Sequence, residues 1–336
     1  MRDRHSAEYR RILESLCPDG LARCDLGRFD QGLYGCSEMF VNGFLKLIEA
    51  GIIRREVFND TVLQQLLNQG AIADETVTPQ TLRALLDAGR VRSPLAAHDL
   101  AYLQRFGILR RGITLDGEQL VLGEQRCSAD LLRDETFDCV CRHMLGSRLL
   151  GGIYMTGGFF LGPRDFYERL RSMPPQELAK IDMARIDFIN QLHGQEDLKR
   201  AQRRRARFMN TTMIITLLGA AASDVLESGQ VVSGVGGQYN FVAMAHALPD
   251  AQLIMMLRAT HDHKDGLGSS IVWSYGQVTI PRHLRDIVIT EQARCALRGA
   301  RALPPQPARD AGRQTATVDR VRSVDRFSVW DRPHGR

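Results

Sequence analysis

The stretch from residue 150 to 291 constrains the fold most, because short apolar runs alternate there with glycine turns and helical patterns. The strand-like runs are GGIYMTGGFFLG, MIITLL, QVVSGVGG, AQLIMML, SSIVWSYG and RDIVITE, whereas PRDFYERLRSM and YNFVAMAHAL have the character of helices. Strands mixed with helices in this way predict an α/β sheet. Ligands of such sheets bind outside the carboxyl ends of the strands, where the glycine turns fall in this sequence.

The chain before residue 150 has a different pattern. Residues 1–54 are predicted to contain a helix, a short strand near Leu33–Tyr34, and a second helix closed by Gly51. The second helix is predicted from the helical spacing of Phe40, Phe44, Leu47 and Ile48. Residues 55–149 contain several stretches that open with Thr or Ser and close at Gly, which indicates capped helices and an inserted helical block.

The C-terminal residues are basic and irregular. Residues 293–336 contain ten arginines, no lysine and four aspartates, a net charge of +6. Because the whole chain carries +5, the other residues together carry −1. No apolar period persists there, so a disordered tail is predicted. A nucleic-acid-binding arm is the alternative, but Phe327 and Trp330 are its only aromatic residues, and nucleic acid is not the expected partner.

The sequence also predicts the cellular compartment of the protein and the redox state of its cysteines. The longest apolar run, MIITLLGAAA, is shorter than the roughly 20 residues that span a bilayer, and no membrane partner is expected. The start, MRDRHSAEYRR, lacks the apolar core of a secretory signal, so a cytoplasmic location is expected. The cysteines have neither zinc-site nor thioredoxin spacing, and all seven are predicted to be reduced thiols: Cys17, Cys24, Cys36, Cys127, Cys139, Cys141 and Cys295.

Three motifs could carry binding or chemistry. The glycines of SGVGGQYNF would let backbone N–H groups approach a ligand oxygen, although no Gly-Lys-Ser/Thr of a P-loop follows. His261 and His263 lack a third metal ligand nearby, so a solvated loop is favoured and no metal is predicted, whereas Lys264 could meet a phosphate. The basic run LKRAQRRRARF is read as a solvated helix face paired with Glu196 and Asp197, and a polyanionic ligand remains the alternative.

Several motifs together resemble those of the acetyl-CoA hydrolase/transferase family, the class I CoA-transferases that act on acetate and related short acids. They are GCSEMFVNGFLKLIEAGII, FMNTTMIITLLG, VVSGVGGQYNFVAMAHAL, KDGLGSSIVW and VTIPRHLRDIVITEQ, in the order found in that family. The resemblance covers residues 30–54 and about 150–292. It implies a CoA-transferase-like open sheet with helices, divided here into 1–54 with the nucleophile motif, the helical block 55–149, an α/β domain 150–292, and the tail 293–336.

The resemblance also implies roles for individual residues. Glu38 would be the nucleophile that forms a glutamyl-CoA thioester, and the start of the following helix, near Phe40 to Asn42, would keep its carboxylate ionised. The glycine motif would supply the oxyanion donors, and Glu291 a second active-site carboxylate. The full set is Glu38, Gly236, Gly237 and Glu291 for catalysis, with Ser233, Gly234, Gly237, Lys264 and Asn210 for CoA. Acyl-CoA and small carboxylates would be the substrates, with no tightly bound cofactor, and a homo-oligomer is the candidate assembly.

Two departures from the family pattern leave an alternative open. Only 37 residues precede Glu38, where the family has a whole α/β domain, and ARCALRGAR with an arginine-proline tail follows ITEQ. A truncated, inert remnant or interaction module of the same fold is therefore the alternative to an active CoA-transferase or acetyl-CoA hydrolase.

Overall fold

The computed structural model describes residues 32–263, 266–291 and 294–296. These residues form two compact units. The first unit includes the described chain up to Ile189 together with His193–Gln202. The second includes Asn190–Leu192 and the described chain from Arg203 onwards.

The first unit combines a parallel sheet with a helical block. Its strands are β1 (Gly35–Val41), β2 (Thr114–Asp116), β3 (Gln119–Leu122), β4 (Gln125–Ser128), β5 (Met155–Leu161) and β6 (Ile181–Met183). Its helices are α1 (Asn42–Glu49), α2 (Thr61–Gln69), α3 (Pro79–Asp87), α4 (Ala97–Arg105), α5 (Asp134–His143), α6 (Arg164–Arg171), α7 (Pro175–Leu178), α8 (Ile186–Asn190) and α9 (Glu196–Gln202). The parallel sheet has the strand order β1-β5-β6.

The start of the first unit differs from the prediction at Phe40. This residue lies in β1 and is fully buried, and α1 begins two residues later at Asn42. Its ring centroid lies 5.5 Å from that of Phe160 on β5 and 5.7 Å from that of Phe166 on α6. Packing against these rings fixes Phe40 in the strand, although its spacing fits the helix. Gly51 follows α1 in the left-handed conformation with φ +69°, which confirms the predicted helix end.

The helices of the block match the predicted capping residues only in part, because Asp60 caps the start of α2, and Ala96 and Arg133 precede α4 and α5. Asp60 accepts a hydrogen bond from the backbone at the start of α2, at 2.9 Å, and Gly70 follows that helix with φ +78°. Thr78 and Thr81 form a capping box at the start of α3. A single apolar cluster, with Leu103 fully buried in it, joins α2, α3, α4 and α5.

One part of the block is not helical. Residues 114–128 form an antiparallel sheet in which β3 pairs with both β2 and β4. The prediction of a helical block did not include this sheet. Its signal is the Asp116-Gly117 dipeptide between apolar residues, since Gly117 turns the chain between β2 and β3 with φ +58°.

A disulfide in the helical block overturns part of the cysteine prediction. Cys127 on β4 and Cys139 on α5 are bonded, with their Cα atoms 6.0 Å apart. The prediction of a reduced thiol is therefore wrong for these two residues, because the fold brings together cysteines whose sequence spacing matches no known motif. Cys36 and Cys141 are not disulfide-bonded, and burial raises the pKa of Cys141. The side chains of the other three cysteines lie outside the described residues.

The second unit contains three small sheets and a helix. Its strands are β7 (Arg207–Thr211), β8 (Ile214–Thr216), β9 (Ala221–Ala222), β10 (Gln252–Met256), β11 (Thr260–His263), β12 (Gly266–Ser269), β13 (Ile271–Val272), β14 (Ile287–Ile289) and β15 (Arg294–Ala296). Its helix is α10 (Gln238–Ala247), and Arg282–Leu284 forms a 3-10 turn. The largest sheet has the order β15-β14-β10-β7, with β7, β10 and β14 mutually parallel and β15 antiparallel. The smaller ones are β13-β8-β9 and the β11–β12 hairpin.

The predicted α/β class is confirmed. Five of the six strand-like runs contain strands, and YNFVAMAHAL forms most of α10. The sixth run, QVVSGVGG, was wrongly predicted as a strand. Among the described residues, Val231 makes only an isolated bridge to Val225, and it is 69% exposed because no described strand covers it. In the predicted tail, Arg294–Ala296 pairs with β14, and residues 297–336 lie outside the described residues.

The basic run around α9 is only partly a solvated face. Arg200 pairs with Glu196 at 2.6 Å, as predicted. Lys199 is instead 2% exposed and donates to the carbonyl of His193 at 2.8 Å. Arg203 is also buried and donates to the sulfur of Met244 at 2.6 Å. The prediction is therefore wrong for Lys199 and Arg203, whose charged groups point inward onto neutral acceptors.

Among the described helices, none has the length and apolar character that crossing a bilayer requires.

Candidate functional site

Glu38 lies in the middle of β1 and is half-buried. On the parallel neighbour β5, Gly157 pairs with Ser37, so Gly158 lies beside Glu38. A Cβ atom at Gly158 would come within 2.9 Å of the carbonyl oxygen of Glu38 and 2.3 Å of the side chain of Ile186. Only glycine therefore allows β5 and α8 to approach the strand that carries the carboxylate.

The helix that follows Glu38 starts within the predicted range, Phe40 to Asn42. Val41 is the N-cap of α1, so Glu38 precedes the cap by three strand residues, about 10 Å along the chain. A helix dipole acts mainly within the first turn. The influence of this helix on the Glu38 carboxylate therefore stays a prediction. Asn42, the first residue of α1, accepts a hydrogen bond from Arg169 at 2.8 Å.

The glycine loop, defined here as Ser233–Gly237, lies in the second unit and leads directly into α10. Gly237 is the N-cap of this helix and is buried, whereas Ser233, Gly234 and Gly236 are exposed. Gly236 has φ +58°, which disfavours any side chain, and a Cβ there would meet nothing within 4 Å. The loop thus offers an accessible backbone with a helix N-terminus behind it, which suits a negatively charged oxygen.

Asn210 and the glycine loop lie at the same edge of the main sheet. Asn210 is half-buried near the carboxyl end of β7, and Thr211 is the last residue of that strand. Gln238, the first residue of α10, donates from Nε2 to the carbonyl oxygen of Thr211. This contact brings the end of the loop at Gly237 next to the strand that carries Asn210.

Glu291 lies at the ends of the two adjacent strands. Both of its carboxylate oxygens accept from the backbone N–H of Ala259, at 2.9 and 3.1 Å. Ala259 follows β10, and Glu291 follows β14. Three parallel strands therefore end together, with Asn210, the glycine loop and Glu291 around them, as ligand sites of α/β sheets require.

The hairpin that follows Ala259 contains the remaining candidates. His261 lies within hydrogen-bond distance of Ser270, Nδ1 to Oγ 3.1 Å, and Ser270 is buried. Lys264 and the side chain of His263 lie outside the described residues. Within the described part of the chain, no three His, Cys, Asp or Glu side chains are grouped as metal ligands.

Sequence reasoning missed the residues that support the glycine loop. The backbone carbonyl of Asp224 accepts from the N–H groups of Val232 and Ser233, at 2.8 and 3.3 Å. Its carboxylate accepts a short hydrogen bond from the hydroxyl of Thr279, which also accepts from Ser223 N at 2.8 Å. No sequence signal links positions 224 and 279. Gln238 could have been suspected, because it directly follows the glycine pair.

A buried cation lies elsewhere in the second unit. Arg285 is 1% exposed, and burial lowers its pKa to about 10. One terminal nitrogen donates to the carbonyl of Gly219, whereas Nε and Nη1 have no hydrogen-bond partner among the described residues.

A parallel sheet with a glycine loop and polar side chains at its carboxyl edge defines an α/β ligand-binding domain. Residues 162–303 match the model of the acetyl-CoA hydrolase/transferase C-terminal domain. Over this part of the chain the sequence is similar to that family, as the motifs predicted.

Solved structures of RipA are also similar to the chain. RipA from Yersinia pestis is 28% identical over 43% of this chain and 30% of its own length, with a TM-score of 0.35. A point mutant of RipA is 20% identical over 72% of this chain and 46% of its own length, with a TM-score of 0.33. The chain thus spans less than half the length of these relatives. No protein in the curated set matches it significantly.

Proposed function

We propose that the chain is an acyl-CoA:carboxylate CoA-transferase or an acetyl-CoA hydrolase that acts through a glutamyl-CoA thioester on Glu38. The observation that carries the proposal is the family match over residues 162–303. The meeting of Asn210, the glycine loop and Glu291 at one edge of the sheet supports it. Short-chain acid metabolism in the cytoplasm is the proposed setting.

The proposed chemistry begins with attack by a Glu38 carboxylate oxygen on the thioester carbonyl carbon. The C–S bond breaks, CoA leaves as a thiolate, and an acyl-glutamyl anhydride remains. The thiolate then attacks the glutamyl carbonyl, which releases the acyl group as a carboxylate and leaves the glutamyl-CoA thioester. A second carboxylate repeats these steps in reverse to give a new acyl-CoA, whereas water releases CoA and free Glu38. Covalent catalysis of this kind replaces one slow exchange by faster steps.

The residues of the second unit are proposed to serve the same intermediate. Backbone N–H groups of Gly236 and Gly237 would stabilise the thioester oxygen as it becomes negative, and removal of one such donor costs about 100- to 1,000-fold in rate. Glu291 would be the second active-site carboxylate. Contacts to CoA are proposed for Ser233, Gly234, Gly237, Lys264 and Asn210. CoA and acyl-CoA are substrates in this scheme, without a tightly bound cofactor, and a homo-oligomer is the proposed assembly.

The experiment is detection of the covalent intermediate. After incubation with acetyl-CoA, peptide mass spectrometry should find CoA bound to Glu38 in the wild-type chain and not in Glu38→Gln. Glu168→Gln is the matched control, because Glu168 is an exposed helix carboxylate paired with Arg164. This variant should form the adduct normally. A folded wild-type chain that forms no adduct and catalyses no acetate exchange would instead support the inert module of the same fold.

A further inference from the structure

We propose that Gln238 is a positioning residue that holds the glycine loop against the carboxyl end of β7. The inference rests on the proposed function, because it concerns the geometry of the loop that would bind the thioester. Gln238 is the first residue of α10 and directly follows the N-cap Gly237. Its Nε2 group donates to the carbonyl of Thr211, next to Asn210. One side chain therefore connects two parts of the proposed site.

The carbonyl oxygen of the Gln238 side-chain amide indicates that the protein holds the amide in this inward orientation. Oε1 is buried and has no hydrogen-bond partner within the described part of the chain. An unpaired buried acceptor is energetically unfavourable, and an amide turned towards solvent would avoid this penalty. What the amide gains from the inward orientation is the hydrogen bond from Nε2 to the carbonyl of Thr211. The side chain is therefore bound to the strand end and does not merely cover the helix surface.

The loop is anchored at its other end by a separate set of contacts. The carbonyl of Asp224 holds the N–H of Ser233, and the hydroxyl of Thr279 holds the Asp224 carboxylate. Between the anchors at Ser233 and Gln238, the backbone at Gly234 and Gly236 is exposed. Without the anchor at Gln238, the segment that ends in Gly237 would no longer be fixed relative to Asn210. Oxyanion donors depend on such positioning, since misplacement by about 1 Å can cost roughly 100-fold in rate.

The test uses Gln238→Glu, which keeps the size of the side chain and removes the donor. An ionised carboxylate only accepts hydrogen bonds, so it cannot bind the Thr211 carbonyl. A protonated carboxyl group regains an O–H donor, and the neighbouring carbonyl favours that form. We expect kcat for acetyl-CoA/acetate exchange to fall about 10- to 100-fold near neutral pH, with a smaller change in KM. The ratio of variant to wild-type kcat should recover as the pH falls towards about 5.

Neighbouring charges do not produce this pattern by themselves. The first turn of α10 contains no acidic residue. The 3-10 turn packed against α10 contains Arg282 and His283, and β7 contains Arg207 at its opposite end. These groups, like Asp224 and Glu291 at the loop and strand ends, are present in both proteins. Division by the wild-type rate at each pH therefore removes their titration.

The matched control is Gln104→Glu in the helical block. Gln104 is also half-buried and donates to a backbone carbonyl, that of Ile113, at 2.8 Å. Its substitution should lower the midpoint of unfolding without changing kcat or its pH profile. Unchanged kcat in Gln238→Glu, or a loss whose ratio to wild type does not vary with pH, would overturn the positioning role.

Hydrogen exchange at the amides of Gly236 and Gly237 separates this inference from the proposed function. Faster exchange at both amides is expected in Gln238→Glu near neutral pH and not in Gln104→Glu. If the wild-type chain forms no CoA adduct, the proposed function fails, and this readout alone decides the inference. Equal exchange at the two glycines in the wild type and Gln238→Glu would then reject it.

Discussion

The helical block of the first unit and the sheet region of the second unit cover their apolar residues to different degrees. Within residues 55–149, Leu132 is the one described large apolar residue that is strongly exposed, whereas the second unit has twelve such residues, including Leu218 and Trp273 at 72% and 73%. The block is one continuous cluster, and the second unit has several smaller ones. The helical block therefore buries most of its large apolar side chains, whereas the unit with the proposed site region leaves many of them exposed.

The largest effect should come from removing a core side chain in the block. Leu103→Ala deletes part of a fully buried side chain on α4 and should cost about 2–5 kcal/mol of unfolding free energy. Leu218→Ala removes the same atoms from an exposed turn and should change stability by less than about 0.5 kcal/mol. Urea unfolding followed by circular dichroism would measure both. Equal costs would contradict the contrast between the two regions.

A smaller effect should appear in alkaline solution. Burial raises the pKa of Tyr154 in the first unit to about 12, and its hydroxyl donates to the carbonyl of Glu177 at 3.0 Å. The unfolded chain loses this proton near pH 10, so stability falls from about pH 10 to pH 12, by about 2–3 kcal/mol. Tyr154→Phe should flatten that decline. The exposed hydroxyl of Tyr239 in the second unit provides the control, Tyr239→Phe, which should leave the decline as it is in the wild type.

The sequence predicts helices and strands best where local signals and packing agree. Thr78 and Gly70 mark helix ends in both sequence and structure. Phe40 fits the helix by spacing but belongs to β1, because it packs against Phe160 on β5 and Phe166 on α6, more than a hundred residues later. The run at Val231 has strand composition but no partner strand. Such errors arise from long-range contacts, which periodicity cannot encode.

The residues of the candidate site were likewise predictable from the sequence only in part. The motifs drew attention to Gly236, Asn210 and Glu291, and parallel strand topology explains why they share an edge of the sheet. The supporting contacts of Asp224 with Thr279 could not be predicted, since they join residues 55 positions apart. The Cys127–Cys139 bond was missed because the 12-residue spacing of the two cysteines matches no known motif. The burial of Arg285 was missed for another reason: an arginine in a polar turn sequence is normally exposed.

Substitution of Arg285 has the smallest predicted effect. It tests most directly whether the second unit is less well satisfied internally than the helical block. A buried guanidinium with two nitrogens that are unpaired among the described residues is destabilising, so an apolar side chain of similar length should be tolerated or preferred. Arg285→Met would lose the bond to Gly219 but relieve the desolvated charge, and should raise the unfolding free energy by about 1–2 kcal/mol. Arg282→Met, on the exposed turn three residues earlier, is the control and should change stability little. A destabilised Arg285→Met would mean that the guanidinium is paired in solution, and the second unit would then be as well satisfied internally as the helical block.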